Sequence, residues 1–281
     1  MRKKRKVKVI ISALFICFLV NCIIQNNLIE ISTFDIKTSN ILNPVRIVHL
    51  SDLHDKQFGE DNKALIEKIK QQEPDIIVFT GDLIDSRSKD ITGSVNTLSK
   101  MNKLAQIYYI PGNHEYRSGK SDLLFEMLEK ENIEVLKSDT RSILANGEML
   151  DIIGIDEAVS SIENINKNLI EFEKSSNYKV LLSHYPENFS RYYNKYSIDL
   201  MLSGHAHGGQ FNLPFIGGLY APGQGFFPKY YKGIHTENGV NLIVSRGLGN
   251  SSFPLRLFNN PEIVVINLIP SKGKLLIQDN Q

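Results

Sequence analysis

Five short segments of the chain combine aspartate, asparagine and histidine in patterns typical of metal ligands. These segments are Asp52-Leu53-His54, Gly81-Asp82, Gly112-Asn113-His114-Glu115, Ser183-His184 and Gly204-His205-Ala206-His207. They contain five of the seven histidines, and neutral imidazole and carboxylate groups bind divalent Mn, Fe, Zn, Co or Ni. Taken singly, each segment also fits a turn, a helix cap or a buried core histidine. Together they predict a site for divalent metal.

Each of these segments directly follows a short apolar run. The runs cover residues 47–50, 76–79, 108–110, 180–182 and 200–202, and their length and composition are typical of buried strands. Open α/β sheets bind their ligands at the carboxyl ends of the strands. The sequence therefore predicts that five strands deliver their polar residues to one place.

Helical patterns separate several of these strands. Helices are predicted from residue 61 or 62 to 71, and over 97–104, 122–131 and 162–174. Further strands are predicted near 29–38, 149–155, 242–245 and 263–269. Strands that alternate with helices of this length indicate an α/β fold. The sequence contains no internal repeat, low-complexity tract or convincing boundary of a second domain.

The first thirty residues have the composition of a targeting signal or a membrane anchor. Six basic residues precede an apolar run over 9–24, and Lys37 is the one basic residue in the next twenty. A bilayer span needs about 17–25 residues, and the excess of positive charge before the run predicts a cytoplasmic N-terminus. We expect residues 1–8 to be cytoplasmic, 9–28 to form a single-pass signal anchor in the cell membrane, and 29–281 to form an extracytoplasmic domain.

Two other processing routes fit the same segment. A cleaved signal peptide has similar basic and apolar regions, and residues 19–22 faintly resemble a lipoprotein box that ends at Cys22. No small-x-small cleavage site stands out after the run, and Asn21 is a poor residue before a lipidated cysteine. A buried core helix is disfavoured because no amphipathic face is present.

Composition narrows the classes of function. The formal net charge is +1, which argues against a protein that binds nucleic acid by general neutralisation of phosphates. Cys17 and Cys22 are the two cysteines, and both lie in the apolar segment. The globular part therefore has neither a disulfide framework nor a thiolate metal site.

The order of the five metal-ligand segments resembles the signature of the calcineurin-like metallophosphoesterase family. That signature reads Asp-x-His, Gly-Asp, Gly-Asn-His-Asp/Glu, His and Gly-His-x-His, and residues 52–207 contain all of it. Residues 204–210 and 245–249 are also similar to a membrane-associated bacterial phosphodiesterase branch. The resemblance implies a four-layer αββα sandwich, with two mixed β-sheets flanked by helices and a dinuclear metal site at its edge.

The resemblance also implies a role for each site residue. One divalent ion would be held by Asp52, His54 and His207, the other by Asn113, His184 and His205, and Asp82 would bridge the two. A metal-bound hydroxide would attack a phosphate ester as nucleophile. His114 would be the general acid that protonates the leaving group.

Three further features have two readings each. Asp85 is either a partner of the site or a helix cap. Arg246 and Arg256 either contact the substrate anion or are ordinary surface arginines. Residues 217–233 are rich in Gly, Pro, Phe and Tyr, and they form either a lid or lipid-facing lip, or an ordered loop.

The expected substrate is a phosphodiester, a phosphomonoester or a pyrophosphate. It is either lipid-linked, as in the UDP-diacylglucosamine hydrolysis often associated with this branch, or soluble. A non-catalytic metal-binding membrane scaffold is one alternative, but its usual sign would be the loss of His114 or Asp82, and both are present. A nuclease is a weaker alternative, because the chain is nearly neutral and begins with an export-type segment. No nucleic acid partner is expected, and the sequence carries no signal for an oligomeric state.

Overall fold

The computed structural model describes residues 2–250 and 255–271, so residues 251–254 and 272–281 of the expected domain lie outside the described part. The helices are α1 (Arg2–Asn27), α2 (Lys63–Lys70), α3 (Thr92–Asn102), α4 (Asn113–Arg117), α5 (Ser121–Lys130) and α6 (Ile162–Phe172). The first eight strands are β1 (Glu30–Thr38), β2 (Val45–Leu50), β3 (Ile76–Thr80), β4 (Ile107–Ile110), β5 (Glu134–Val135), β6 (Thr140–Ala145), β7 (Glu148–Ile155) and β8 (Tyr178–Ser183). The later strands are β9 (Leu200–Ser203), β10 (Asn212–Leu213), β11 (Gly217–Gly218), β12 (Tyr220–Ala221), β13 (Gly225–Phe226), β14 (Gly233–Glu237), β15 (Val240–Val244) and β16 (Glu262–Pro270).

The main strands form two six-stranded mixed sheets. The first sheet has the order β1-β16-β2-β3-β4-β5, and the second has the order β14-β15-β9-β8-β7-β6. Strands β2 to β5 run parallel, as do β7, β8, β9 and β15. Strands β10–β11 and β12–β13 form two separate short hairpins.

Three hydrophobic cores define four layers. Strand β3 shows why, because its side chains alternate between the two faces of the first sheet. Ile76 and Val78 pack between the two sheets, whereas Ile77 and Phe79 pack with residues of α2, α3 and α5. A third core joins the outer face of the second sheet to α6. The fold is therefore the expected αββα sandwich.

One reversal of direction in the first sheet matters for the site. Strand β16 is antiparallel to β2, and β1 is parallel to β16. The amino ends of β1 and β16 therefore lie at the same edge as the carboxyl ends of β2, β3 and β4. Since α1 leads directly into β1, the apolar helix joins the domain at that edge.

Several elements differ from the sequence-based expectation. Helix α3 begins at Thr92 rather than at residue 97, because burial of Val95 outweighs the poor helix propensity of Gly93 and Ser94. Strands β5, β6 and β14 were not predicted. Strand β6 lies at a sheet edge and alternates exposed with buried side chains, so its apolar signal is weak.

Helix α1 is long and apolar enough to cross a membrane. An 18-residue window within Lys4–Asn27 has a mean hydropathy of 2.6, and 6% of that window is buried. A core helix would be largely buried, so that reading does not fit. An anchor and a signal sequence both fit these properties.

Candidate metal centre

The structure brings the five metal-ligand segments together at the carboxyl ends of five strands. Donor atoms of two sets lie within 4.8 Å of one another, and these sets are Asp52, His54 and His207, and Asp82, His184 and His205. A third set, His54, Asp82 and His114, connects them. The first sheet supplies both carboxylates, and the second sheet supplies three of the histidines.

Asp82 occupies the position between the two sets. Its Oδ2 atom lies 3.3 Å from His184 Nε2 and 3.7 Å from His54 Nε2. On the far side of His54, the Nε2 atom of His207 lies 3.3 Å from His54 Nε2 and 3.6 Å from Asp52 Oδ1. A single carboxylate is thus within reach of both groups of histidines.

The donor set fits divalent cations. Asp52 and Asp82 are buried, and buried carboxylates require a compensating charge. Pairs of ring nitrogens also face one another, since His205 Nδ1 lies 3.1 Å from His184 Nε2. A cation satisfies several converging lone pairs at once, which a hydrogen bond between two rings does not.

Hydrogen bonding orients His184 for this role. Its Nδ1 atom donates to the Thr80 carbonyl at 2.7 Å, so the lone pair of the neutral ring is on Nε2, facing Asp82. A backbone carbonyl that holds the second ring nitrogen is the usual partner of a metal-binding histidine. Burial opposes a charge on His184, but the carboxylates of Asp82 and Asp52 outweigh it and raise its pKa to about 10. The site therefore favours a positive charge beside Asp82.

The remaining histidines of the cluster favour the neutral form that binds metal. Burial lowers the pKa of His54 to about 4 and that of His205 to about 3. It also lowers the pKa of His207 well below the ordinary value. Neutral imidazole keeps a lone pair for a metal ion.

Asn113 adds an amide group to the second set. Its terminal amide lies 3.1 Å from His205 Nδ1. With its nitrogen toward His205, the amide donates a hydrogen bond; with its oxygen there, two lone pairs converge and fit a cation between them. Asn113 opens α4 directly after Gly112, which brings it beside Asp82.

The backbone at the cluster is held in an unusual conformation. Asp52, His54, Asp82, His205 and His207 all have φ between 46° and 64°. Non-glycine residues adopt this left-handed region rarely, and its recurrence at one place is typical of functional sites. The sharp turns that follow the strands thus direct these side chains inward.

His114 lies beside the cluster. The Ser86 N–H donates to its Nδ1 atom at 3.0 Å, so the proton of the neutral ring is on Nε2. Asp85 Oδ2 lies 3.5 Å from the same Nδ1 atom. The helix-cap reading of Asp85 is wrong, because α3 begins at Thr92; Asp85 instead contacts the imidazole of His114.

A sequence profile of the calcineurin-like phosphoesterase family matches residues 45–209, a span that contains the whole cluster. The chain belongs to this family. It is 30% identical over 253 residues to the uncharacterized metallophosphoesterase YkuE of Bacillus subtilis, an alignment that covers 87% of each chain. It is 32% identical to the uncharacterized metallophosphoesterase Cj0846 of Campylobacter jejuni, of which it spans 64%, while 87% of this chain is covered.

Solved structures show a weaker likeness. A dimetal phosphatase from Danio rerio aligns with 80% of this chain and 93% of its own, with 11% identity and a TM-score of 0.49, which is too low to bear on function. Family membership makes the chain a hydrolase that acts on phosphate esters. Together with the clusters of His and Asp, it supports binding of divalent metal.

A cavity of about 560 Å³ opens over the cluster of metal-ligand residues. It is lined on one side by Asp82, His114 and Arg117, and on the other by Tyr220 and Pro222. Residues of the β12–β13 hairpin, within the segment over 217–233, therefore form one wall of the cavity. That segment is an ordered element, as in the ordered-loop reading.

The two arginines expected to meet the substrate lie elsewhere. Arg246 is buried and pairs with Glu262 at 2.9 Å and Glu30 at 3.1 Å. Arg256 is buried and donates to the Arg246 carbonyl at 2.9 Å. Neither residue lines the cavity, and neither is a surface arginine, so both readings were wrong. Arg117 is the arginine among the residues that line this cavity.

Glu115 is a site residue whose role the sequence did not reveal. Its carboxylate accepts hydrogen bonds from the backbone N–H groups of Gly112 at 2.7 Å, Asp82 at 3.0 Å and Leu83 at 2.8 Å. It thereby ties the loop after β3 to the loop after β4. The signal was the glutamate in the Gly-Asn-His-Glu segment, but two of its three partners, the N–H groups of Asp82 and Leu83, are 33 and 32 positions away.

Proposed function

We propose that this chain hydrolyses its phosphate ester with two divalent cations that share Asp82. Asp52, His54 and His207 would hold one cation, and Asn113, His184 and His205 would hold the other. The observation that carries this proposal is the position of Asp82 Oδ2, 3.3 Å from His184 and 3.7 Å from His54. Two such ions would supply an activated water and would stabilise the charge on the phosphoryl oxygens.

His114 acts as the general acid in this proposal. Its Nε2 atom bears the ring proton while Ser86 holds Nδ1. His114 lines the cavity beside Asp82, so Nε2 is available to a leaving oxygen there. Transfer of that proton neutralises the alkoxide as the phosphorus–oxygen bond breaks, and a positioned acid contributes about 10²–10⁴-fold to rate.

Arg117, rather than Arg246 or Arg256, contacts the substrate anion in this proposal. It lies one turn after His114 on α4 and lines the cavity. A guanidinium can hold two phosphate oxygens at once. We assign it to the non-bridging oxygens of the substrate.

Helix α1 is the membrane anchor of this proposal, with residues 1–8 in the cytoplasm and the domain outside. Supporting this, the end of the helix is part of the folded domain. The Arg256 N–H donates to Asn26 Oδ1 at 3.0 Å, and the Phe258 N–H donates to Gln25 Oε1. Cleavage beyond Asn26 would remove both contacts.

Hydrolysis by the purified full-length chain tests the proposed reaction. The chain is stripped with a chelator, reloaded with Mn, Ni, Zn or Mg, and assayed on p-nitrophenyl phosphate and bis-p-nitrophenyl phosphate. We expect no turnover without metal, recovery with at least one ion, and a loss of at least about 100-fold in Asp82→Asn, because even outer partners of metal ligands are worth about 10–100-fold. Turnover by Asp82→Asn equal to that of the wild type would refute the shared carboxylate. Metal binding without hydrolysis of either ester would favour the alternative of a non-catalytic metal-binding scaffold.

A further inference from the structure

Four exposed phenylalanines lie in or next to the two short hairpins and in the segment that contacts the end of α1. We call Phe215, Phe226, Phe227 and Phe258 the aromatic rim. All four are exposed, and Phe215 reaches 109% of its reference exposure. Grouped exposed aromatic side chains on a water-soluble surface are unusual and mark contact with a partner or a membrane.

The backbone of the rim is as unusual as its side chains. Phe215, Phe227 and Phe258 have φ of 67°, 54° and 51°. Turn positions of this kind normally carry glycine or asparagine, and a bulky residue there is an outlier. Three phenylalanines at such positions indicate that their exposure serves a purpose other than packing.

A continuous chain of contacts joins the rim to α1. Phe258 is bound through its N–H to Gln25 near the end of the helix. Next to it, the Asn212 N–H donates to the Leu257 carbonyl at 2.9 Å, which fixes the β10–β11 hairpin beside the same segment. Phe215 lies at the tip of that hairpin, between Leu213 and Gly217. The rim therefore begins where the apolar helix ends.

The rim also borders the metal cavity. Tyr220 lines the cavity, and its ring lies 5.5 Å from that of Phe226, centroid to centroid. The Phe227 N–H donates to the Leu219 carbonyl at 3.0 Å, so the β12–β13 hairpin carries both rim residues against the cavity wall. The direction of β1 places α1 at this same edge of the first sheet.

We propose that the aromatic rim inserts into the outer surface of the bilayer that α1 spans. The metal cavity then opens at the level of the lipid headgroups, and its substrate is a phosphate ester carried by a membrane lipid. Aromatic side chains favour this interfacial region. The inference rests on the proposed anchor and hydrolase activity, and it commits to a lipid surface rather than to a second copy of the chain.

Tryptophan fluorescence tests the insertion without any need for activity, since the chain contains no tryptophan. Phe215→Trp and Phe226→Trp are compared with Leu144→Trp in the full chain, in phosphatidylcholine–phosphatidylglycerol vesicles with or without brominated acyl chains. Leu144 is 70% exposed and pairs with Met149 at the amino end of β7, away from the site. We expect bromine to quench about half or more of the emission at the rim and little at the control, as for side chains about 5–10 Å into the boundary. Equal quenching at all three positions, or rim emission that changes only on dimerisation, overturns the proposal.

A substrate comparison tests the consequence for hydrolysis. Phe215→Ser/Phe226→Ser/Phe227→Ser and the wild type are assayed on a p-nitrophenyl ester of phosphatidic acid in vesicles, and on soluble bis-p-nitrophenyl phosphate. We expect the variant to lose about tenfold or more on the vesicle substrate, because without inserted aromatic side chains the anchored domain no longer holds its cavity at the level of the headgroups, and to stay within about twofold on the soluble ester. Equal losses on both substrates contradict the role of the rim. If the wild type hydrolyses neither ester, the proposed reaction fails, while quenching still decides whether the rim inserts.

Discussion

His114 is held by its neighbours in one orientation, with Nδ1 accepting from Ser86 and Nε2 left for the substrate. We predict that His114→Ala retains metal but loses about 10²–10⁴-fold in kcat on esters with poor leaving groups. The loss should shrink on p-nitrophenyl esters, whose leaving group needs little help from an acid. Rates with a series of phenols of rising pKa measure this, with metal content as the control. An equal loss on all leaving groups would contradict the acid role.

Glu115 connects two loops of the metal site through backbone donors. Glu115→Gln replaces one acceptor oxygen by an NH₂ group that faces those donors, so we predict destabilisation by about 1–3 kcal/mol. Burial and the charge of Asp82 raise the pKa of Glu115 to about 7. Ionisation above that pH costs folding free energy that glutamine does not incur, so urea unfolding is best measured at about pH 6. Glu129→Gln, at an exposed position of α5, is the matched control. An effect no larger than that of the control would show that the carboxylate does not hold the loops.

The residues of the cluster could be predicted because each motif combines ligand type with position after a strand. Arg246 and Arg256 could not be assigned in the same way. Glu30, which pairs with Arg246, is more than two hundred positions away, and nothing local distinguishes a buried ion pair from a substrate contact. Arg117 had no motif of its own, and only the turn of α4 places it in the cavity.

At the scale of elements, glycines let the two sheets approach each other at the site. A Cβ atom at Gly204, directly after β9, would overlap Ser51 Oγ and Asp52 Oδ2. We predict that Gly204→Ala displaces Asp52 and lowers the metal content and turnover of the chain. Gly93→Ala is the control, because no described atom lies within 4 Å of a Cβ there, and in α3 it should stabilise by about 0.5–1 kcal/mol. Full metal content in Gly204→Ala would contradict this close approach.

Strands β2 and β3 are also joined by a buried histidine outside the metal cluster. His49 Nε2 lies 2.8 Å from Thr80 Oγ1, and burial lowers its pKa to about 3. Below about pH 6.5, the unfolded chain binds a proton that folded His49 does not, so stability falls as pH decreases toward 3, by up to about 1.4 kcal/mol per pH unit.

We predict that His49→Gln flattens the pH dependence of the free energy of unfolding between pH 6 and pH 4. Glutamine keeps a hydrogen bond to Thr80 but does not titrate. Urea unfolding at several pH values measures the slope. The half-buried His235→Gln should change it less, since burial lowers the pKa of His235 to a smaller extent. An unchanged slope in His49→Gln would show that His49 is protonated in the folded chain.

Most elements were predictable where the apolar pattern was strong. Strand β3 is wholly buried, and its continuous apolar run marks it without ambiguity. The two-residue strands of the hairpins at 212–226 have too few residues for any period to show. The position of the first hairpin depends on contacts with residues 255–257, which only the folded chain brings near.

At the scale of the whole molecule, the cluster joins the two sheets of the sandwich. Asp52 and Asp82 follow strands of the first sheet, whereas His184, His205 and His207 follow strands of the second. The sequence indicated the carboxyl ends of strands, but not the reversal of β16 and β1 that puts α1 at the same edge. This arrangement relates the metal site to the proposed membrane surface.

The central claim is that two cations share one carboxylate, and electron paramagnetic resonance of the Mn²⁺-loaded full chain tests it most directly. We predict about two Mn²⁺ per chain with the exchange-coupled spectrum of a bridged pair, and loss of that coupling in Asp82→Asn. A wild-type chain that binds a single Mn²⁺, or two Mn²⁺ with uncoupled spectra, would contradict the account.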